Sequence, residues 1–343
     1  MSLPRSFASD NTAPVHPRVI EMLAEVNHGH APAYGDDPWS ERVRQWFVDE
    51  FGDGTSAWLV WNGTGANVVA LRALTRPWHA ILCAEQAHVA VDECGAPELF
   101  TQCKVVSLPS SDARLTPDGI RAAHRRIGDE HISQPHVVSI AQPTEYGTVY
   151  RREELAALCA TAHELDMKVF MDGARIANAA AALDLPFRAF TRDVGVDMLS
   201  FGASKNGAMG AEAVVTFDAI TASELKYLRK QSGQLSSKGR YVAAQFLALA
   251  EDRLWLANAR QANAMARRLA DGVRDVAGLT IAHPVEASAV FAVLPPEVTE
   301  RLQRTFHFYV WDERLDLVRW MTNWATSAAD VDELVSAVRA STR

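Results

Sequence analysis

The chain has 343 residues, enough for one large domain and a smaller one. Its 34 Lys and Arg against 42 Asp and Glu give a net charge of −8, which argues against nucleic acid or an anionic membrane as a partner. The four cysteines show neither a C-x-x-C pair nor zinc-ligand spacing, and no apolar run is long enough to span a membrane. We therefore expect a cytoplasmic protein without a metal site.

The first fifty residues predict two amphipathic helices with a polar loop between them. Apolar residues from Val19 to Val26 follow helical spacing, and a second helix is predicted over residues 38–51. The loop between them, residues 29–37, is rich in turn-forming residues.

From residue 54 onward, short apolar strands alternate with amphipathic helices. Strands are predicted over residues 58–61, 80–84, 104–108, 136–140, 168–172, 196–201 and 213–217, and helices end near 74, 127 and 165. This alternation is typical of an α/β fold with a mainly parallel sheet covered by helices on both faces.

The last third of the chain changes character. Residues 224–276 are almost wholly helical in pattern, and strands at 279–281, 289–293, 306–311 and 317–321 then alternate with helices from 296 and 328. We predict a large α/β domain with an N-terminal arm over residues 1–235 and a small C-terminal α+β domain over 236–343.

Two of the predicted strands end in residues that carry chemistry. Asp172 ends the run 168–172, and Lys205 lies in the small-residue loop 200–210. Parallel strands place ligands at their carboxyl ends, so the two side chains are expected at one site. Pyridoxal phosphate (PLP) needs such a pair, because a lysine binds its aldehyde as a Schiff base and a carboxylate keeps its pyridine nitrogen protonated. The alternative is an unrelated acid and lysine at two ordinary strand ends.

Three further features fit a phosphorylated cofactor but have simpler alternatives. Residues 62–67, Asn-Gly-Thr-Gly-Ala-Asn, could seat a phosphate at a helix N-terminus or form only a tight turn. They match neither a P-loop nor a dinucleotide fingerprint. His88 is either structural or an imidazole that stacks on the ring and exchanges protons. Arg175 either binds a substrate carboxylate or the ring oxygen, or pairs with Asp172.

Five segments together resemble the L-threonine aldolase family of fold type I PLP enzymes. They are 34–37 (Tyr-Gly-Asp-Asp), 62–67, 87–88 (Ala-His), 172–178 (Asp-Gly-Ala-Arg-Ile-Ala-Asn) and 204–207 (Ser-Lys-Asn-Gly). Segments 34–39, 92–97, 233–240 and 319–324 are especially similar to the bacterial low-specificity subgroup. The similarity runs from about residue 7 to residue 324, nearly the whole chain.

The resemblance implies a role for each matching residue. Lys205 would form the Schiff base, Asp172 would contact the pyridine nitrogen, and His88 would stack over the ring. The phosphate would be held by Gly63, Thr64 and Arg240, the last across a subunit boundary, with Lys238 as an alternative and Ser204 as a further candidate. The substrate carboxylate would bind Arg175, Arg319 and Ser9, while Tyr34 and Asp92 would line the β-hydroxyl side of the pocket.

The implied activity is reversible cleavage of the Cα–Cβ bond of L-threonine, L-allo-threonine and related β-hydroxy-α-amino acids to glycine and an aldehyde. His88 is the first candidate for the base that removes the β-hydroxyl proton, and Asp92 is the second. Many relatives carry a histidine where residues 142–145 read Gln-Pro-Thr-Glu, so the preference between diastereomers stays open. The family also implies a homodimer or homotetramer with active sites at the dimer interface.

Other functions remain alternatives at this stage. Another fold type I PLP enzyme, such as a β-eliminating lyase, a kynureninase or an aminotransferase, would share Lys205, Asp172 and Arg175. A non-catalytic binding protein on the same fold would not need these residues intact. A nicotinamide dehydrogenase would need the dinucleotide fingerprint that the chain lacks.

Overall fold

In the computed structural model, which describes residues 5–342, strands and helices alternate through the first two thirds of the chain. The strands are β1 Arg5–Ser6, β2 Ser56–Val60, β3 His79–Ala84, β4 Lys104–Leu108, β5 Gln134–Ala141, β6 Lys168–Gly173, β7 Met198–Gly202, β8 Glu212–Thr216, β9 Thr280–Ile281, β10 Ala289–Val293, β11 Phe306–His307, β12 Tyr309–Asp312 and β13 Leu317–Met321. The helices are α1 Pro17–Glu25, α2 Pro38–Phe51, α3 Gly63–Leu74, α4 His88–Val91, α5 Ala96–Thr101, α6 Pro117–Ala123, α7 Arg152–Glu164, α8 Ile176–Leu183, α9 Ala219–Gln231, α10 Gly239–Ala250, α11 Leu254–Val273, α12 Pro296–Gln303 and α13 Ala328–Ser341. Short 3₁₀ turns include Asp10–Thr12 and Ser204–Asn206.

The large sheet has seven strands in the order β2-β8-β7-β6-β5-β3-β4. The five strands from β4 to β7 run parallel, and β8 and β2 are antiparallel to their neighbours. Every residue of β7 and β8 is buried, as expected for strands covered on both faces. The predicted α/β class with a mainly parallel sheet is confirmed.

Local sequence explains where the long helices begin. The side chain of Asp37 caps α2 by accepting from the N–H of Ser40 at 2.8 Å, and Pro38 follows at the first helical position. Asn62 caps α3 in the same way, accepting from the N–H of Gly65 at 2.7 Å. The turn α4 and the helix α5 were not predicted, because four and six residues are too few to show helical periodicity.

A smaller sheet, β12-β13-β10-β9, forms the core of the C-terminal part with α11, α12 and α13. The N-terminal segment joins it: β1 pairs in parallel with β11, and buried Phe7 packs into this second core. Because the chain then returns to the large core at Val19, Ser9 and Asp10 lie between the two parts.

Helix α11 contributes to both hydrophobic cores. Trp255 and Ala259 of α11 belong to the large core, whereas Ala266 and Leu269 belong to the small one, and α10 packs entirely in the large core. The domain boundary at residues 235 and 236 stays a prediction; on core packing alone, α10 goes with the large sheet. Within residues 5–342, no helix combines the length and apolarity needed to cross a bilayer.

Candidate active site

A narrow cavity lies at the carboxyl ends of β5, β6 and β7, where parallel-sheet ligands bind. It brings together five of the predicted residues, and its lining is Gly63, Asn67, His88, Glu93, Ala141, Pro143, Thr144, Glu145, Asp172, Ala174, Arg175 and Lys205.

Asp172 is the last residue but one of β6 and is 9% exposed. Its Oδ1 accepts from the N–H of Ala174 at 2.9 Å, and its Oδ2 accepts from the side-chain amide of Asn67 at 2.9 Å. Charge-assisted acceptance from two donors stabilises a carboxylate that burial would otherwise penalise. A carboxylate oriented by two donors and facing the cavity is suited to bind a protonated ring nitrogen.

Lys205 lies in the 3₁₀ turn that follows β7, and it lines the same cavity. Burial and the nearby Arg175 guanidinium lower the pKa of Lys205, although Asp10, Asp172 and Glu212 act in the opposite direction. A lowered pKa increases the neutral fraction of the amine, which is the nucleophilic form.

Two glycines let the loops that carry these residues approach each other. A Cβ on Gly202 would lie 2.3 Å from the backbone oxygen of Ala174, and one on Gly173 would lie 2.5 Å from that of Ser200. Only glycine therefore fits where β6 and β7 end side by side.

His88 begins α4 beside the cavity. Its Nδ1 lies 2.8 Å from Oε1 of Glu93, and its backbone N–H donates to Oε1 of Glu145 at 2.9 Å. The hydrogen bond that His88 donates to Glu93 raises the pKa of His88, against the lowering effect of burial. The His88 side chain is 39% exposed and lines the cavity.

Arg175 pairs with Asp10 rather than with Asp172, the partner considered as an alternative from the sequence. Its Nε and Nη2 donate to the two carboxylate oxygens of Asp10 at 2.6 and 3.0 Å. The Asp10 side chain is 3% exposed and that of Arg175 is 19% exposed. Sequence reasoning missed Asp10 because it lies 165 positions from its partner.

Arg319 and Ser9 lie near this pair. Nη2 of Arg319, on β13, donates to the backbone oxygen of Ala8 at 2.8 Å, and its guanidinium lies 4.4 Å from the centre of the Trp311 ring. Burial and Arg175 lower the pKa of Arg319 to about 10. Ser9 caps the 3₁₀ turn that contains Asp10, accepting from the N–H of Asn11 at 3.2 Å. Asp92 is exposed just after α4. Its negative charge is close enough to Arg319 to raise the pKa of that guanidinium slightly.

The start of α3 has the features of an anion site. The N–H groups of Gly65 and Ala66 donate to Asn62, whereas those of Gly63 and Thr64 have no acceptor among the described residues. A Cβ on Gly63 would meet open space. Free N–H groups at the N-terminus of a twelve-residue helix favour a phosphate.

Gln234 covers the same helix start, which the sequence did not indicate. Its side chain lies where a Cβ on Gly65 would be, at 2.2 Å, and it accepts from the N–H of Trp61 at 3.0 Å. Ser204, a further phosphate candidate, instead exchanges hydrogen bonds with the backbone of Ala211.

Tyr34 and Arg240 lie away from the cavity of their own chain. Arg240 donates to the backbone oxygens of His28 and Gly29 at 3.2 Å, and the N–H of Tyr34 donates to Ser237 at 3.0 Å. Tyr34 is 50% exposed, and Lys238 is exposed as well. Neither Tyr34 nor Arg240 lines that cavity.

Two further acids lie close to these residues: half-buried Glu145 lines the cavity, and buried Glu212 acts on the charge of Lys205. Burial raises the pKa of Glu145 to about 7, more than the His88 N–H lowers it, and burial raises the pKa of Glu212 to about 7 as well. The sequence drew attention to Glu145 only as a departure from a family pattern, and it gave no signal for Glu212.

The ligand atoms of His88, Glu93 and Asp172 lie within 4.8 Å of one another. Because the amide of Asn67 donates to both carboxylates, we interpret this cluster as a hydrogen-bonded network rather than as a cation site.

Comparison with known proteins places this geometry among aldolases and lyases. The sequence profile of the β-eliminating lyase family matches residues 6–295. The chain is 40% identical over 337 residues to the low specificity L-threonine aldolase of Pseudomonas aeruginosa, covering 98% of this chain and 97% of that protein. It is 39% identical over 338 residues to the enzyme of the same name from a Pseudomonas species, with the same coverage. The structure of Leishmania major threonine aldolase superimposes with a TM-score of 0.94 at 28% identity, over 99% of this chain and 100% of the other.

Proposed function

Since the chain belongs to the β-eliminating lyase family and, within it, to the low specificity L-threonine aldolases, we propose that it cleaves β-hydroxy-α-amino acids to glycine and an aldehyde. L-threonine and L-allo-threonine are the expected substrates, and PLP is the cofactor. The observation that carries the proposal is the joint presence of Lys205, Asp172, His88 and Arg175 around one cavity.

The residues at the cavity fit PLP in three respects. Lys205 has a lowered pKa, Asp172 is an oriented carboxylate, and the start of α3 offers unused N–H groups at Gly63 and Thr64. Lys205 would hold the aldehyde carbon, Asp172 the ring nitrogen, and the helix start the phosphate. Bound there, PLP supplies an electron sink for the bond that breaks.

The chain's own residues then orient the substrate. Arg175 and Arg319 would bind the α-carboxylate, with Ser9 beside them, and so fix the rotation of the Cα–Cβ bond. Support comes from the electrostatics of the two arginines: burial and the Arg175 guanidinium lower the pKa of Arg319, and Asp10 is a carboxylate whose charge acts on both guanidinium groups. A substrate carboxylate would relieve that excess of positive charge.

Proton transfer is assigned to His88. Its Nε2 would take the β-hydroxyl proton, and the electron pair of that O–H bond would become the second C–O bond of the aldehyde as the Cα–Cβ bond breaks. The Cα–Cβ electron pair stays with the Cα fragment, and a proton returned to Cα gives glycine. Asp92 is the second candidate base, but it is exposed at the rim of the site. Tyr34 would line the β-hydroxyl side from a neighbouring subunit.

We also propose that the active unit is at least a homodimer. Arg240, the residue expected on the phosphate, is held by the backbone of His28 and Gly29 and does not line its own cavity. It would therefore complete the site of a second copy. A cytoplasmic location agrees with four cysteines that form no disulfide, as expected in a reducing compartment.

The decisive test compares the purified protein with Lys205→Ala. The wild type should show a visible cofactor absorbance and release acetaldehyde from L-threonine, while the variant should lose or shift the band and release none. Lys104→Ala, which removes an exposed lysine from the sheet edge, is the matched control and should behave as the wild type. A lysine-dependent band without aldehyde from L-threonine, L-allo-threonine or phenylserine would indicate a β-eliminating lyase or an aminotransferase instead.

A further inference from the structure

Two buried polar side chains, Glu93 and Asn67, connect His88 to Asp172. Oε1 of Glu93 accepts from Nδ1 of His88 at 2.8 Å and from the amide nitrogen of Asn67 at 2.7 Å. The same amide nitrogen donates to Oδ2 of Asp172 at 2.9 Å. An unbroken chain of hydrogen bonds therefore joins His88, which is expected to stack over the cofactor ring, to Asp172, which is expected to contact the ring nitrogen.

The amide of Asn67 suits its place between two carboxylates. Each carboxylate in its ionised form only accepts, so both amide hydrogens are used, and Oδ1 is left buried without a partner among the described residues. The bridge puts a neutral double donor between two negative charges that would otherwise repel each other at close range.

The Glu93 side chain has no exposed area, so these donors take the place of the water that an exposed carboxylate would contact. Accepting from His88 requires the imidazole proton on Nδ1 and leaves the lone pair on Nε2. Among the described residues Nε2 has no partner, and the ring borders the cavity.

We propose that Glu93 is a positioning residue that holds His88 in the Nδ1-protonated form with Nε2 free to act as the base, and that Asn67 fixes Glu93 against Asp172. The arrangement corresponds to the acid that orients histidine in a catalytic triad. This inference rests on the proposed function, because it assigns a purpose to the basicity of His88.

Charges facing His88 come from several elements. The hydrogen bond to Glu93 raises the pKa of His88, burial lowers it, Asp172 near the end of β6 raises it, and Lys205 after β7 lowers it. Glu145, from the segment after β5, accepts the His88 backbone N–H. Neutralising Glu93 removes the first-named contribution, so the pKa of His88 should fall.

The principal test is Glu93→Gln in the cofactor-loaded protein, since glutamine removes the negative charge and keeps the side-chain shape and one acceptor oxygen. Because a base acts only when deprotonated, the acid limb of the kcat/KM profile should move to lower pH. Its plateau should fall on the order of 10- to 100-fold, less than the ~10²–10⁴ expected from losing a base outright. Glu85→Gln, an exposed acid just before α4, is the control and should leave the profile unchanged. An unmoved acid limb in Glu93→Gln would overturn the proposal.

A second readout does not depend on turnover. In protein with ¹³Cε1-labelled histidine, the His88 signal among eleven histidines is assigned by its loss in His88→Gln. It should titrate above its ordinary value of 6.5 in the wild type and lower in Glu93→Gln. Titration that Glu93→Gln leaves unchanged would also overturn the proposal, whatever the activity.

The double variant tests whether the chain acts as a unit. Asn67→Ala combined with Glu93→Gln should lose little more activity than the worse single variant, whereas independent structural damage would multiply the two losses. If the wild type releases no aldehyde but His88 titrates as expected, the proposed function fails and the positioning of His88 by Glu93 stands.

Discussion

Replacing Asp10 with asparagine removes the carboxylate that neutralises Arg175. The pair is bidentate at 2.6 and 3.0 Å, and its side chains are 3% and 19% exposed. Removing one partner of a buried ion pair costs about 3–5 kcal/mol, and the partial exposure of Arg175 favours the lower end. Lys205 and Arg319 add to the uncompensated positive charge.

A loss of about 3 kcal/mol corresponds to a modest but measurable change in melting temperature. The entropy of unfolding is about 2.1 cal/mol/K per residue, which over 343 residues is ~0.7 kcal/mol/K. Asp10→Asn should therefore lower the melting temperature by about 4 °C at neutral pH, measured by calorimetry or by circular dichroism.

The pH dependence of this difference follows from the charge of Asp10. Burial raises the pKa of Asp10, but the positive charges of Arg175, Lys205 and Arg319 together lower it by more. The folded-state pKa therefore lies below the ordinary 3.8. The stabilisation is thus fully present above pH 3.8 and is lost as the pH falls through the folded-state pKa. The difference between the wild type and Asp10→Asn should be constant from pH 5 to 8.

The matched control is Asp332→Asn, because Asp332 binds Arg268 with the same two-contact geometry, at 2.8 and 2.8 Å, on the surface. Half-exposed ion pairs contribute little, so this variant should melt close to the wild type. If Asp10→Asn and Asp332→Asn melt alike, the reasoning that Asp10 compensates a buried cation is refuted.

Three further predictions concern residues around the cavity. Glu145 has a pKa raised to about 7, so it should contribute a fall in wild-type stability of at most about 1.4 kcal/mol per pH unit between the ordinary 4.5 and pH 7. In Glu145→Gln, thermal melting across this range should lose that contribution and keep the similar one from Glu212. Gly202→Ala would drive a Cβ to 2.3 Å from the Ala174 oxygen and should cost about 1–3 kcal/mol or more, with loss of cofactor absorbance. In the control Gly210→Ala, the new Cβ would lie no closer than 3.7 Å to its nearest neighbour, the Trp61 backbone oxygen. This variant should keep both the wild-type stability and the cofactor absorbance. Arg319→Lys should raise the KM for L-threonine about tenfold, with a smaller effect on kcat, because lysine cannot form the forked contact; an unchanged KM would remove Arg319 from the carboxylate site.

The sequence predicted the frame of the site well because strand ends are a local signal. Apolar runs that stop at Asp172 and shortly before Lys205 indicated two neighbouring strands, and the sheet places these strands side by side. The glycines at residues 62–67 likewise predicted a strand-to-helix turn, and α3 begins at Gly63. Each of these inferences used only residues a few positions apart.

The partners of those residues could not be predicted in the same way. Asn67 meets Asp172 across 105 positions, and Asp10 meets Arg175 across 165. Nothing in the local pattern around Asp10 or Glu93 distinguishes it from other acids, since each becomes part of the site only when two distant segments pack together.

The sequence by itself therefore determined the fold class and, through its motifs, the family. Only the tertiary structure decided that Asp10 pairs with Arg175 and that Glu93 pairs with His88. It also decided that Tyr34 and Arg240 lie outside the cavity of their own chain. The physical reason is range: hydrophobic periodicity and turn chemistry act over a few residues, whereas ion pairing and hydrogen bonding depend on distances in space that folding alone sets.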